Sequence, residues 1–226
     1  MRRYFVGIIL LSVFGGAAAY GGPRWTEGKD YARIDPAPPT SVPAAGLEVT
    51  EIFSYGCPYC AQFNPTATQL QLGLPPKSQF VYVPASFLPA EDWPMFQRAY
   101  CTAQLLGIAA QTHDAIFDAV WKTGELAVSD PTTHRLKSPL PTIEDAARVY
   151  SRLTGISVET FLGTARSFAV DAKMRAADDL VHTYRVDSTP SVVVDGMYLV
   201  NLGSARTADE LIDLVKWLAS KESKEH

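Results

Sequence analysis

Residues 51–65 read "EIFSYGCPYCAQFNP": two cysteines one helical turn apart, directly behind a run of apolar, β-branched and aromatic residues. The segment holding that run, "LEVTEIFS" at 47–54, is nearly unbroken, as a strand buried on both faces is. Pro58 follows the first cysteine and suits the first turn of a helix, where a missing N–H leaves nothing unpaired. A buried strand that turns straight into a helix is the start of an α/β fold, with both cysteines at the junction. Cys57 and Cys60 can then be a redox pair, half of a zinc site or a structural staple.

Working outward, residues 62–72 carry Phe63, Leu70 and Leu72 among polar residues and continue the helix, and "FVYVPASF" at 80–87 is a second strand. Strand, helix and strand at this spacing form a βαβ unit. From Glu91 to about Tyr184 the pattern is helical. Phe96, Tyr100 and Ala103, with Leu106 or Gly107, make one stripe, and Ile116, Phe117, Val120 and Trp121 make the next, which Gly124 ends. Residues 130–141 hold three prolines without periodicity and read as a loop; Thr142 caps a helix after it, and Ser157 caps a long one running to residue 185. "PSVVVDGMYLV" is a hairpin turning at Asp195-Gly196, and Thr207 caps a last helix that buries Leu211, Leu214, Val215 and Leu218. Upstream, residues 21–45 are rich in proline and glycine and read as an extended arm. The order fits one α/β domain interrupted by a helical one, without internal repeats.

The start, "MRRYFVGIILLSVFGGAAAY", has two arginines, an apolar core and small residues ending in Ala17-Ala18-Ala19, the layout of a signal peptide cleaved after Ala19. Its core is shorter than the roughly 20 residues a membrane-spanning helix needs, and no cysteine at the cleavage point suggests a lipid anchor. Export places the cysteines in an oxidising space, a bacterial periplasm. Removal of Arg2 and Arg3 lowers Lys+Arg from 20 to 18 against 24 Asp+Glu, a formal charge of −6, which argues against a nucleic-acid partner. Three cysteines are too few for a disulfide-stapled scaffold.

Zinc needs four ligands, and beyond the pair only Cys101, His113, His134, His182 and His226 remain, none at paired spacing, so no metal is expected. A structural disulfide across so short a loop restricts the unfolded chain little, although any exported CxxC can be oxidised. Redox chemistry suits the spacing better: Cys57 falls against the unpaired N–H groups and positive end of the helix, where a thiolate is favoured. A thiolate stabilised in this way favours the dithiol state and makes the disulfide an oxidant of other proteins. Far along the chain, "DSTPSVVVDG" puts Pro190 at the head of a strand; an X–Pro bond is cis only about 5–6% of the time, so the residues alone favour trans.

Together, "WTEGKDY", "FSYGCPYCAQF", the helical block and "STPSVVVDG" make the chain resemble the DsbA-type thiol:disulfide oxidoreductases over nearly its whole mature length. That resemblance implies a thioredoxin-like α/β fold with an inserted α-helical domain: a first part at 20–90 with the CxxC, the insertion at 91–184 and a second part at 185–226. It implies Cys57 as the attacking cysteine, Cys60 as the buried resolving one, and Thr189-Pro190 as a cis-proline step whose backbone pairs with a substrate peptide. Glu51, six residues before Cys57, matches an acidic residue under the family's active site and is expected to have a raised pKa and to exchange a proton with Cys60; its other reading is a strand carboxylate facing solvent.

Three departures stand out. Tyr82 falls where the family has a lysine, Pro-Tyr replaces the Pro-His of the best-known DsbA proteins, and Thr189 replaces their valine. A tyrosine adds no charge to the thiolate, so a milder oxidant is expected. Trp93, Trp121, Tyr55, Tyr59 and Phe63 are expected mostly in the core, with Tyr55 and Tyr59 also placed to form an exposed apolar docking surface beside the cysteines; Cys101 reads as a buried free thiol. The resemblance further implies a monomer that needs no cofactor, takes reduced exported proteins as substrates and is reoxidised by a DsbB-like membrane quinone reductase. The enzyme alternative is a periplasmic reductase or isomerase, although the short arm leaves no room for an N-terminal dimerisation domain. The non-enzyme alternative is a binding or chaperone module with an inert disulfide.

Overall fold

The computed structural model describes residues 24–35 and 47–222; the expected signal peptide lies outside them. The unit that organises the chain is the one built on the cysteines. Strand β2 (Glu48–Phe53) is buried at all six positions, as its unbroken apolar pattern requires. Helix α1 (Pro58–Gly73) follows, and strand β3 (Gln79–Pro84) returns parallel to β2, pairing Glu51 with Tyr82 and Phe53 with Pro84. Strands β4 (Ser191–Val194) and β5 (Tyr198–Val200) form the hairpin expected from Asp195-Gly196, and both glycine and aspartate take positive φ at the turn. Strand β4 runs antiparallel to β2 on the side away from β3.

One strand was not legible beforehand. The arm contains a short edge strand, β1 (Tyr31–Arg33), antiparallel to β5, and the sheet order is β1-β5-β4-β2-β3. Three residues between Asp30 and Ile34 give no period to read. The strand exists because the free edge of β5 supplies its partners and Tyr31 packs edge-on to Tyr198.

Five helices lie between β3 and β4: α2 (Trp93–Leu105), α3 (Ala109–Trp121), α4 (Ile143–Thr154), α5 (Val158–Ala165) and α6 (Phe168–Thr183). Thr142 caps α4 in a reciprocal arrangement, its hydroxyl accepting from Asp145 N–H while the Asp145 carboxylate accepts from Thr142 N–H. Ser157 caps α5 as expected, but the single long helix foreseen after it is two. Ser167 starts α6 afresh, its Oγ accepting from Val170 N–H. A second capping serine inside an apolar pattern is a stop signal that the pattern conceals. The last helix, α7 (Ala208–Glu222), begins after Thr207, whose Oγ1 accepts from Glu210 N–H.

Strand alternation divides the core. Val49 joins Val192, Val194 and Tyr198 on the face covered by Leu70 of α1 and by Leu211, Leu214, Val215 and Leu218 of α7. Ile52, Val83 and Val193 face the other way, onto Ala177 and Val181 of α6. A third cluster runs from Phe53 and Tyr55 through Cys60 into α2, α3, α4 and α5, so the cysteines lie where sheet and helical block meet. Among the described residues no helix is long and apolar enough to cross a membrane.

Leu70 is fully buried between α1 and α7. Leu70→Ala is expected to lower unfolding stability by about 2–5 kcal/mol in urea titrations, with the denaturant slope unchanged.

Candidate active site

The site begins where β2 runs out. Ser54 turns the chain: its carbonyl accepts from Cys57 N–H at 3.1 Å and its hydroxyl from Gly56 N–H at 3.2 Å. Cys57 then sits as the N-cap of α1 with extended backbone (φ −88°, ψ 119°), Pro58 holds the first helical position, and Cys60 N–H donates to Cys57 Sγ at 3.4 Å. A sulfur thus occupies the place usually held by a capping oxygen. The pair is in the dithiol form, and the two cysteines approach to 3.5 Å.

Strand pairing supplies the other wall. Because β4 aligns Ser191 with Ile52, the residues just before β4 reach the loop just after β2. The Thr189-Pro190 peptide is cis, and the Cys57 thiol donates to the Thr189 carbonyl at 3.4 Å across 132 residues of sequence. Thr189 Oγ1 is buried beside it without a conventional hydrogen-bond partner. Beyond this point Tyr59, Phe63, Thr189, Pro190 and Leu202 line an open groove of about 480 Å³.

Burial and polarity separate the two thiols. Cys57 is pulled down to about 6, first by the adjacent Cys60 thiol and then by the Thr189 side chain and the Cys60 and Tyr59 N–H groups, which together outweigh its burial. Cys60, fully buried, is pushed far above an ordinary thiol by loss of solvent and by the neighbouring Cys57 sulfur. Glu51 lies beneath them on β2, 1% exposed, with Oε2 unpartnered. Burial first, and the Cys57 charge second, raise its carboxyl to about 8. The solvent-facing reading of Glu51 is therefore excluded.

Tyr82, the cross-strand partner of Glu51, offers a phenol in place of a cation, and burial and the Glu51 charge push that phenol up. Cys101 is buried in α2, and burial pushes its thiol up to about 12. Among the described residues no group of three or more His, Cys, Asp or Glu side chains is placed to hold a metal ion.

The expected site residues Cys57, Cys60, Glu51, Thr189, Pro190 and Tyr59 come together around the N-terminus of α1. The aromatic expectations need correction. Trp93 is buried and Phe63 half-buried; Tyr55 is also buried and so takes no part in an exposed surface, whereas Tyr59 is 67% exposed, as a docking residue rather than a core one would be, and Trp121 is 40% exposed. The first helical turn points Tyr59 outward, whereas Tyr55, still in line with the strand, turns inward onto Phe53, Tyr100 and Phe117. Two contacts escaped the sequence reading. His113, considered there only as a metal ligand, places Nδ1 3.0 Å from the Tyr55 hydroxyl, and Trp121 Nε1–H donates to the Tyr55 carbonyl at 2.8 Å. Both lie more than fifty residues from Tyr55, and neither carries a local motif.

The reduced protein is expected to show a thiolate absorbance transition near pH 6 that disappears in Cys57→Ser; a midpoint at that of free cysteine would contradict the assignment. An unfolded Cys57 ionises only near 9. Through Cys57 the dithiol form should therefore gain stability relative to the disulfide form as pH rises from about 6 to 9, and lose that advantage as pH falls through 6. The disulfide form has no such contribution. Urea midpoints of the two forms measured across that window would test this.

No family model matches the chain. Its sequence is 32% identical over 215 residues to the thiol:disulfide interchange protein DsbA of Pseudomonas aeruginosa, covering 95% of this chain and 93% of the relative. It is 31% identical to the protein of the same name from Pseudomonas syringae pv. tomato, covering 98% of this chain and 96% of the relative. Among solved structures it resembles oxidoreductase DsbA from Xylella fastidiosa, with a TM-score of 0.75 and 28% identity over 88% of this chain and 98% of that one. Pseudomonas aeruginosa DsbA superposes with a TM-score of 0.72 and 32% identity, over 89% and 96%.

Proposed function

This chain belongs to the DsbA family of thiol:disulfide oxidoreductases, with the family's thioredoxin fold and helical insertion, and we propose how its own residues divide the work. The enzyme introduces disulfides into other proteins. The reading rests on one observation: two cysteines of the same helical turn are driven in opposite directions, Cys57 toward the thiolate and Cys60 away from it.

In the proposed sequence a substrate thiolate attacks Cys57 Sγ of the Cys57–Cys60 disulfide. The S–S bond breaks, Cys60 leaves with the electron pair, and a mixed disulfide forms through Cys57. A buried Cys60 thiolate is costly, so its departure needs a proton. Glu51 supplies it: burial, the larger cause of its raised carboxyl and one that needs no Cys57 charge, favours its protonated form. The substrate's second thiolate then attacks its own sulfur in the mixed disulfide, releasing the oxidised substrate and the Cys57 thiolate. Two substrate thiols have become a disulfide, and the enzyme holds the two electrons. In the reverse direction ionised Glu51 accepts the Cys60 proton.

Thr189, through its carbonyl 3.4 Å from Cys57 Sγ, and Pro190 hold the substrate backbone, and Tyr59 offers it an exposed aromatic face along the groove. We divide the chain into parts at 20–90, 91–184 and 185–226, a division that the helical block between β3 and β4 supports. The signal-peptide pattern at 1–19 supports a periplasmic protein, for which reoxidation by a DsbB-like membrane quinone reductase completes the cycle. Its substrates would be reduced exported proteins.

Glu51→Gln is expected to slow mixed-disulfide formation by at least about tenfold at pH 7, in stopped-flow exchange with a cysteine peptide. The gap should narrow as pH rises through about 8, where the wild-type carboxyl loses its proton. Equal rates at pH 7 would remove Glu51 from the scheme. For direction, acid trapping and alkylation of the protein in its cells should find the pair mainly as the disulfide; a mainly dithiol pair would support a reductase or isomerase instead.

A further inference from the structure

The loop that delivers Cys57 to the head of α1 contains a residue that cannot stiffen it. Gly56 has no Cβ, and its steric freedom leaves open how the Tyr55 and Cys57 peptide planes are oriented. Ser54 supplies only the local bonds already described. Three further contacts fix the loop, all from the helical block. Trp121, the last residue of α3, donates its indole N–H to the Tyr55 carbonyl at 2.8 Å. His113 meets the Tyr55 hydroxyl at 3.0 Å. Trp93, the first residue of α2, lies against Gly56 so closely that a Cβ there would stand 2.7 Å from Nε1 and 2.9 Å from Cδ1 of the indole.

Trp121 is not placed by burial, since two fifths of it remains exposed; its directed bond to Tyr55 is what ties it to the loop. Trp93 is buried, yet its indole nitrogen has no hydrogen-bond partner, so its role against Gly56 is one of shape. One tryptophan thus grips the carbonyl two residues before Cys57, and the other closes the space over the intervening glycine. The contacts that stabilise a Cys57 thiolate are short and directional, the 3.4 Å approach of Cys60 N–H among them, and the influence of a helix end fades within its first turn. A small drift of the loop would loosen these contacts together.

We propose that Trp121 and Trp93 are positioning residues for thiol–disulfide exchange. By clamping Tyr55 and Gly56 from the helical block, they set the place of Cys57 Sγ against the N-terminus of α1 and against the Thr189 carbonyl. The clamp thereby tunes the oxidising strength of a CPYC pair that lacks an intervening histidine. The inference rests on Cys57 being the exchanging sulfur.

The test uses the full mature chain. Trp121→Phe keeps a ring but removes the N–H donor. It is expected to raise the Cys57 thiolate midpoint by at least about half a pH unit, and to move the equilibrium with glutathione about threefold toward the disulfide, which the two-state linkage requires. The groups coupled to Cys57, Cys60 and Glu51, are unchanged in this variant. Gly56→Ala, which forces a methyl onto the Trp93 indole, should shift the midpoint in the same direction, and adding Trp93→Leu should return it toward wild type. Reduced thermal stability with an unchanged midpoint and an unchanged glutathione equilibrium in Trp121→Phe would overturn the proposal, because a structural contact alone predicts that result. If Trp121→Phe does not fold, the Gly56→Ala pair decides: no shift, or a shift that Trp93→Leu fails to reverse, would overturn it. If the wild-type protein fails to oxidise a reduced test protein, the catalytic reading fails rather than the clamp, since the midpoints are read without substrate.

Discussion

Cys57 stands at the end of a fully buried strand and at the start of a helix, and the chemistry of the site depends on that junction. The first N–H groups of α1 have no helical acceptors, so they are available to a sulfur at the N-cap. Strand β2 holds them in place by pairing on both sides, with β3 parallel and β4 antiparallel. The β4 pairing also carries the Thr189 carbonyl to Cys57 Sγ. Moving this strand-to-helix turn would remove the helix-end N–H groups and the Thr189 carbonyl from Cys57 at once.

The same junction makes the two cysteines unequal. One turn of helix carries Cys60 deeper into the cluster shared by α1 and the helical block, where loss of solvent and the Cys57 sulfur outweigh the Ser54 backbone contact that would favour a charge. Cys57 keeps the helix N-terminus and the cis-proline segment as neighbours. Glu51, two residues before the end of β2, points to the face that α1 covers, so its carboxyl is buried near both sulfurs and stays protonated to about pH 8. A protonated carboxyl and a thiol that resists ionisation are thus set side by side by strand alternation, with Tyr82 across the pair where a cation would otherwise hold Glu51 ionised.

The helical block does more than cover an open face of the sheet. It supplies the aromatic residues that enclose Phe53 and Tyr55, and it holds the loop before Cys57 through Trp121, His113 and Trp93. An insertion between β3 and β4 in sequence therefore shapes the active-site turn at the end of β2.

The sequence by itself determined the local events. The unbroken "LEVTEIFS" run gave a buried strand, Pro58 gave a helix start, Asp195-Gly196 gave the hairpin, and Thr142, Ser157 and Thr207 gave caps, because each acts through neighbours within a few residues. With the resemblance, it also pointed to Cys57, Cys60, Glu51, Thr189, Pro190 and Tyr59, but not to the Ser54 turn or to the His113 and Trp121 contacts with Tyr55. Whatever depended on a distant partner stayed hidden. β1 exists only because β5 leaves an edge, whereas the break of the expected single helix into α5 and α6 is local, a Ser167 cap concealed inside the apolar pattern. The outward turn of Tyr59, the exposure of Trp121 and its bond to Tyr55 follow from which face each element buries. Period and composition show that a side chain can be buried; only the packed structure decides what lies against it, and that decides its charge, its proton and its reach.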